Sequence, residues 1–201
     1  GDVYKRQGVR DPQGFRPLCL GKTANGYVLS SESCAFDAIK AEFIRHIDPG
    51  EMVIIDDSGV RSTVYAEPEK IDKKLCVFEY IYFARGDSHI DGQSVYQSRL
   101  NMGRELYNET KYDADIVMSI PDSGTTAALG YARASGIPFA EGLVKNRYSG
   151  RTFIKPNQEE RELAVRMKLN ALPHIVGGKR IVLIDDSIVR GTTVSYTHLT
   201  L

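Results

Sequence analysis

Two aspartates follow a strongly apolar run late in the chain. Ile181 to Ile184 has the composition of a buried strand, and Asp185 and Asp186 come directly after it. Carboxylates in this position accept hydrogen bonds from sugar hydroxyls or bind a hydrated Mg²⁺, but they repel a bare phosphate. Residues 187–193 then form a small-residue loop at the predicted start of a helix, where free backbone N–H groups and the helix dipole attract phosphate. The combination predicts a site for a phosphorylated sugar.

A nucleoside triphosphate site is the main alternative, with Gly21-Lys22-Thr23 as its phosphate loop and an acid after the strand as the magnesium ligand. The spacing argues against it. The phosphate-loop pattern needs a glycine five positions before Gly21, where Arg16 stands, and an apolar strand ahead of it. A second alternative, in which Asp185 and Asp186 only cap a turn, explains the two acids but not the loop that follows them.

The elements around this motif alternate between strands and helices. Such alternation predicts a parallel, doubly wound sheet, which binds ligands at the carboxyl ends of its strands. The two aspartates are therefore expected at the binding edge of the sheet. The predicted strands are 76–83, 114–120 and 180–184, and the predicted helices are 95–110, 126–135 and 163–172.

The first third of the chain has a different pattern. Short β-type runs at 27–30, 52–55 and 60–65 include a hairpin, and serines precede a stretch whose apolar residues recur at helical spacing, which predicts a helix over 34–47. The apolar positions of that helix are Phe36, Ile39, Phe43, Ile44 and Ile47. A charged stretch at 67–74 then predicts a connection between an α+β domain and the α/β domain.

Composition excludes some classes of partner. The 201 residues balance 26 lysines and arginines against 26 aspartates and glutamates, so no net charge favours nucleic acid or an anionic membrane. No apolar run approaches the ~20 residues of a membrane span, and no signal peptide opens the chain, which predicts a cytoplasmic protein. The three cysteines are widely spaced and fit a reducing compartment.

The segment 181–193 resembles the phosphoribosyl pyrophosphate (PRPP) signature of type I phosphoribosyltransferases. Three further stretches narrow the resemblance to the amidophosphoribosyltransferase family: Lys145-Asn146-Arg147-Tyr148-Ser149-Gly150-Arg151-Thr152-Phe153-Ile154, Phe78-Glu79-Tyr80-Ile81-Tyr82-Phe83-Ala84-Arg85, and Gly8-Val9-Arg10-Asp11-Pro12-Gln13-Gly14-Phe15-Arg16-Pro17-Leu18. The likeness runs from about Gly8 to Thr193.

The resemblance implies an α/β type I phosphoribosyltransferase fold with an incomplete parallel sheet, preceded by the C-terminal part of an α+β glutaminase domain of the Ntn-hydrolase type. Residues 8–70 would belong to the glutaminase domain and residues 71–193 to the truncated transferase domain. Residues 1–7 and 194–201 do not resemble the family and are expected to be non-native ends of an internal fragment.

The resemblance also implies an activity: ammonia from glutamine displaces pyrophosphate from PRPP, giving 5-phosphoribosylamine and glutamate in the first step of de novo purine biosynthesis. The family's glutaminase nucleophile is an amino-terminal cysteine, which has no counterpart here, so the chain by itself is expected to be inactive. The other hypothesis is a non-catalytic regulator with a phosphoribosyltransferase fold that senses PRPP. Such a regulator would be expected to carry a DNA-binding segment, and the sequence offers none.

By resemblance, each candidate site residue has a role. A basic loop would neutralise the departing pyrophosphate, and its catalytic candidates are Lys145, Arg147, Arg151, Arg166 and Lys168. PRPP would contact two groups: Asp122, Ser123, Gly124 and Thr125 facing pyrophosphate, and Asp185, Asp186, Ser187, Arg190, Gly191, Thr192 and Thr193 holding ribose and the 5′-phosphate. Mg²⁺ would bind near Ser123, Asp185 and Asp186.

Cys76 is the remaining metal candidate, because family members with a [4Fe–4S] cluster have one of its ligands just before this Phe-Glu-Tyr motif. The resemblance further implies purine nucleotides as inhibitors and a homo-oligomer for the full-length protein, with no nucleic acid or membrane partner.

Overall fold

The computed structural model describes residues 5–146 and 169–187. The chain forms two compact units, one up to Ser98 and one from Arg99 onward. Residues after the predicted connection at 67–74 still belong to the first unit, because their backbone pairs with an early loop: Asp72 donates to Pro12 O, Lys74 to Gln13 O and Cys76 to Phe15 O. The two compact units therefore meet in sequence after Ser98, later than the domain boundary predicted near residue 70. That boundary concerns the types of the two domains and stays a prediction.

Two antiparallel three-stranded sheets build most of the first unit, in the orders β1-β5-β6 and β3-β2-β4. Leu20, Ile47 and Val53 form a buried apolar cluster here. Gly21-Lys22-Thr23 lies within a strand, which rules it out as a phosphate loop. The elements are β1 (Arg6–Val9), β2 (Cys19–Thr23), β3 (Gly26–Ser30), α1 (Cys34–Ala38), β4 (Glu42–His46), β5 (Glu51–Asp56) and β6 (Gly59–Val64).

The helix predicted over 34–47 is wrong beyond its first turn. α1 ends at Ala38, Lys40 adopts a left-handed conformation with φ 55°, and β4 pairs antiparallel with β2. Of the predicted apolar face, Phe36 and Ile47 are buried, whereas the three residues between them are exposed. Aromatic and β-branched residues suit a strand as well as a helix. Here the hydrogen bonds that β4 forms along the side of β2 opposite β3 favour the strand.

The strand predicted over 76–83 is also wrong. Residues Glu79–Phe83 form a π-helical turn. The buried carboxylate of Glu79 accepts a hydrogen bond from Arg16 Nη1 at 2.5 Å, and the guanidinium of Arg16 lies 4.7 Å from the Phe83 ring centroid. A coiled backbone brings Glu79 and Phe83 to the same cation, whereas an extended strand would separate them.

A short hairpin, β7 (His89–Ile90) and β8 (Gln93–Ser94), completes the first unit. Its turn residues Asp91 and Gly92 have φ 47° and 82°, which suits the tight turns of two-residue hairpins. Asp91, which is 24% exposed, forms an ion pair with the buried Arg10, with Nη1–Oδ1 at 2.8 Å and Nη2–Oδ2 at 2.9 Å.

The second unit contains the predicted alternation of strands and helices. β9 and β12 pair in parallel, and an isolated parallel bridge joins Val117 to Phe139. The part of the predicted helix 163–172 that the structure describes is instead a strand, β11, which pairs antiparallel with β10. The elements are α2 (Val95–Glu109), which starts in the first unit, β9 (Ile116–Ser119), α3 (Thr125–Ser135), β10 (Leu143–Lys145), β11 (Leu169–Ala171), α4 (Pro173–Val176) and β12 (Ile181–Ile184).

Apolar residues cover both faces of the β9–β12 pair. Val117 and Ile184 pack with Ala128 and Tyr131 of α3 on one face, in a single buried cluster. The opposite face carries another, made of Ile116, Met118, Ile120, Leu143 and Val176. This two-sided burial explains why β12, and β9 as far as Met118, have continuous apolar sequences. Among the described residues, no helix has both the length and the apolar character to cross a membrane.

Helices α2 and α3 approach each other through two glycines. A Cβ at Gly130 would lie 2.1 Å from Leu100 O, and one at Gly103 would lie 1.8 Å from Ala127 O. Both contacts are far inside van der Waals distance and involve rigid backbone, so only glycine permits this crossing.

Gly130→Ala is therefore expected to lower the free energy of unfolding by about 3 kcal/mol, because the helices must separate to admit the methyl group. Urea unfolding followed by circular dichroism measures the change. Arg133→Ala, at an exposed position of the same helix, is the control and should stay within about 0.5 kcal/mol of the unsubstituted chain. A Gly130→Ala variant that is more stable, as helix propensity alone predicts, would contradict the close crossing.

Candidate functional site

The carboxyl ends of β9 and β12 lie side by side. The two strands are in parallel register with Ser119 opposite Ile184, and Ile120 N donates to Ile184 O at 2.9 Å just beyond the pair. The loops that follow these strands therefore begin next to each other. This is the edge at which parallel sheets bind ligands, and the sequence predicted both loops as parts of one site.

The loop after β9, Ile120 to Gly124, packs tightly against the start of the acidic loop. A Cβ at Gly124 would lie 2.8 Å from Ile184 O and 3.3 Å from the Cα of Asp185, so a side chain there would push the two loops apart. Gly124 N donates to Ile120 O at 3.3 Å, and the peptide bond between Pro121 and Asp122 is cis. α3 starts at the next residue, Thr125, so this loop lies at the positive end of a helix dipole.

Asp185 and Asp186 occupy the corresponding place after β12. Asp186 N donates to Asp185 Oδ1 at 2.9 Å, and Ser187 Oγ donates to Asp186 Oδ1 at 2.7 Å. Asp185 is half-buried, and burial raises the pKa of its carboxyl, with a further increase from the negative charge of Asp186. Within the described residues, each carboxylate uses one oxygen in the loop, and the other oxygen has the chemistry to accept from a diol or to bind a cation.

The raised pKa makes a prediction about stability. A folded-state pKa above the unfolded value means that the native state binds the proton more tightly, so ionised Asp185 destabilises the fold at neutral pH and this penalty disappears as pH falls through the folded-state pKa. Asp185→Asn should therefore raise the melting temperature at pH 7, and the difference should shrink toward pH 4. Thermal unfolding across this pH range measures it. A lower melting temperature at pH 7 would contradict the assignment.

Lys145, at the end of β10, forms an ion pair with Asp122 of the loop after β9. The pair joins the first predicted catalytic residue to the predicted pyrophosphate loop within the second unit. The Asp122 side chain is 78% exposed, so the pair itself adds little stability. Its importance is positional, because it places an ammonium group beside the loop that would receive an anion.

The other predicted residues divide between the loops and the undescribed segments. Ser123 and Thr125 lie with Asp122 and Gly124 at the end of β9, and Ser187 lies with the two acids at the end of β12. The remaining candidates lie outside the described residues, and their roles stay predictions: Arg147, Arg151, Arg166, Lys168, Arg190, Gly191, Thr192 and Thr193.

A magnesium ion fits the donor chemistry at the end of β12. Asp185 and Asp186 offer carboxylate oxygens, which Mg²⁺ prefers, and such sites usually add only one or two carboxylates to water and substrate phosphates. The described residues contain no cluster of three or more His, Cys, Asp or Glu side chains that could hold a metal ion without such help.

An iron–sulfur cluster does not fit the described residues by themselves. Cys76 is half-buried in the first unit, and no set of three metal-ligating side chains surrounds it within the described part of the chain. Its ligand role stays a prediction. The thiols of Cys19 and Cys34 are buried, and burial raises the pKa of Cys19 to about 11, so Cys19 is a poor nucleophile at neutral pH.

Sequence reasoning missed one residue beside the site. Ser119 is buried at the end of β9, and its Oγ lies 3.1 Å from Thr125 Oγ1. Its only signal in the sequence is a polar residue inside the apolar run Ile116 to Ile120.

Comparison with known sequences finds amidophosphoribosyltransferases. The relative from Archaeoglobus fulgidus is 55% identical over 186 residues, which make up 92% of this chain and 40% of the relative. The relative from Bacillus subtilis is 52% identical over 183 residues, or 91% of this chain and 38% of the relative. No protein-family model matches the chain.

Solved structures agree with the sequence comparison. The glutamine PRPP amidotransferase from B. subtilis complexed with ADP and GMP superposes with a TM-score of 0.85 at 50% identity, covering 94% of this chain and 41% of that one. A structure described as the allosteric regulatory enzyme of purine biosynthesis gives a TM-score of 0.88 at 48% identity, covering 98% and 42%.

The chain thus spans about two fifths of the length of the relatives that it matches. The comparisons support an α/β fold of the phosphoribosyltransferase type with a small sheet. In sequence and in fold, the chain matches one segment of the amidophosphoribosyltransferases.

Proposed function

We propose that this chain forms the PRPP-binding part of an amidophosphoribosyltransferase. The whole enzyme transfers ammonia from glutamine to PRPP and produces 5-phosphoribosylamine, pyrophosphate and glutamate, which opens de novo purine biosynthesis. One observation carries the proposal: the acidic loop after β12 and the loop before α3 begin side by side at the ligand-binding edge of a parallel strand pair.

The two loops have complementary chemistry for PRPP. The carboxylate oxygens of Asp185 and Asp186 would accept hydrogen bonds from the ribose hydroxyls and would hold Mg²⁺, which supplies positive charge to the pyrophosphate oxygens when bound. The loop Ile120 to Gly124 lies at the start of α3, whose dipole favours an anionic group. The two loops lie close enough for one ligand to contact both, because Gly124 packs against the Cα of Asp185.

Departure of pyrophosphate leaves positive charge on the sugar and adds negative charge to the leaving group. Lys145 is held beside the β9 loop by its ion pair with Asp122. When the leaving group is present, the Lys145 side chain can exchange this carboxylate for a phosphate oxygen as its ion-pair partner. The basic residues of the loop that it precedes, Arg147, Arg151, Arg166 and Lys168, are proposed to add charge and to exclude water.

Residues 8–70, which form most of the sheets of the first unit, are proposed to be part of the glutaminase domain. The two antiparallel sheets fit an α+β class, and the resemblance supplies the Ntn-hydrolase assignment. Purine nucleotides are proposed as inhibitors, in line with the B. subtilis structure complexed with ADP and GMP. A homo-oligomer for the full-length protein and a cytoplasmic location also stay proposals.

A segment exchange tests the activity. The matching segment of the Bacillus subtilis amidophosphoribosyltransferase is replaced by this chain, and pyrophosphate release from PRPP is measured with ammonium chloride as the nitrogen source. The proposal expects ammonium-dependent release that is lost when Asp185→Asn and Asp186→Asn are added. A folded hybrid that binds PRPP but releases no pyrophosphate would favour the alternative of a PRPP-sensing protein without catalysis.

A further inference from the structure

Ser119 lies beneath the proposed pyrophosphate loop and is absent from the predicted site. It shares with Val117 the face of β9 that α3 covers, because alternate residues of a strand point to the same side. This face is apolar, and Ser119 is only 8% exposed. A hydroxyl in such surroundings is unfavourable unless it forms a hydrogen bond.

Its partner is at the other end of the loop. Ser119 Oγ and Thr125 Oγ1 lie 3.1 Å apart, and Thr125 is the first residue of α3. The hydroxyl pair therefore closes the loop Ile120 to Gly124 at its base. The two backbone hydrogen bonds within this turn, Gly124 N to Ile120 O and Thr125 N to Asp122 O, are both long at 3.3 Å. The side-chain pair is shorter than either of these two backbone hydrogen bonds.

The same pair is close to the acidic loop. Ser119 is the register partner of Ile184, the residue directly before Asp185. A shift of Thr125 would move Gly124, whose backbone packs against Ile184 O and Asp185. The hydroxyl pair thus fixes the separation between the two halves of the proposed site.

We propose that Ser119 is a positioning residue for pyrophosphate binding, acting through Thr125 to keep the loop Ile120 to Gly124 in its binding conformation. This inference rests on the proposed function. A loop fixed before the ligand arrives loses less conformational freedom on binding, so its affinity is higher. The effect is confined to ligands that contact this loop.

The test compares two ligands on the same full chain by calorimetry: pyrophosphate with Mg²⁺, and ribose 5-phosphate, which lacks the pyrophosphate group. Ser119→Ala is expected to weaken pyrophosphate binding about fivefold, as expected for one hydrogen bond, and to leave ribose 5-phosphate binding within about twofold. Thr125→Val should have the same effect, Thr125→Ser should retain the affinity, and the Ser119→Ala, Thr125→Val double variant should lose no more than either single variant.

Three outcomes would overturn the inference. Unchanged pyrophosphate affinity in Ser119→Ala and Thr125→Val would show that the pair does not position the loop. An equal loss for both ligands would indicate general loosening of the unit. Failure of the unsubstituted chain to bind either ligand would overturn the proposed function together with this inference, whereas the first two outcomes would leave the proposed function standing.

Discussion

Arg10→Met is expected to lower the free energy of unfolding by about 3–5 kcal/mol, the range for breaking a buried ion pair by removing one partner. Arg10 is 3% exposed, and its guanidinium donates both hydrogen bonds of the pair with Asp91. It also donates to the backbone oxygens of Ile47 at 2.8 Å, Arg16 at 3.1 Å and Gly14 at 3.2 Å. Methionine fills much of the volume but leaves a carboxylate and three carbonyl groups without these donors.

Urea unfolding followed by circular dichroism measures the loss. Arg85→Met is the matched control, because Arg85 belongs to the same unit but is 66% exposed and pairs with Asp87, which is itself 52% exposed; it should change stability by less than about 1 kcal/mol. Adding Asp91→Asn to Arg10→Met should recover part of the loss by removing the unpaired charge. Equal effects of Arg10→Met and Arg85→Met would contradict the expectation that the Arg10–Asp91 pair stabilises the first unit more than an exposed ion pair does.

The double variant Asp185→Asn, Asp186→Asn is expected to weaken binding of PRPP with Mg²⁺ by at least about 100-fold, or ~2.7 kcal/mol. Both carboxylates lose their charge, so the cation loses its protein ligands and the ribose hydroxyls face amide groups that also donate hydrogen bonds. The shape of the loop should survive, because asparagine keeps the side-chain oxygen that accepts the bond from Asp186 N.

Calorimetric titration of the double variant beside the unsubstituted chain measures the effect. Asp56→Asn, Asp57→Asn is the control pair, since Asp56 ends β5 and Asp57 begins the turn to β6 in the first unit, and neither is a candidate site residue. It should leave the affinity within about twofold. A double variant of the site acids that melts cooperatively and retains full affinity would place PRPP elsewhere.

The sequence was sufficient to predict elements whose signals are local. α2, α3, β9 and β12 appear within a few residues of their predicted bounds, because long amphipathic stretches, a glycine stop at Gly136 and an apolar run ended by acids each specify one structure. The family resemblance implied that the two aspartates and the loop after β9 belong to one site, and the structure places Gly124 of that loop beside Asp185.

Elements that depend on distant partners were not predictable in the same way. The stretch 42–46 becomes a strand because it pairs with β2. The backbone at 79–83 is helical, and Glu79 and Phe83 both contact Arg16. In both cases a residue far along the chain decides the local structure. Ser119 was missed for a related reason: one serine in an apolar run carries no motif, and its role emerges only when Thr125 is seen beside it.

The central claim is that the paired strand ends of β9 and β12 bind PRPP, and its most direct test is a calorimetric titration of PRPP with Mg²⁺ into the unsubstituted chain. We predict saturable, one-to-one binding that requires Mg²⁺ and is displaced by pyrophosphate. No heat of binding from a chain that shows a cooperative melting transition would contradict the claim.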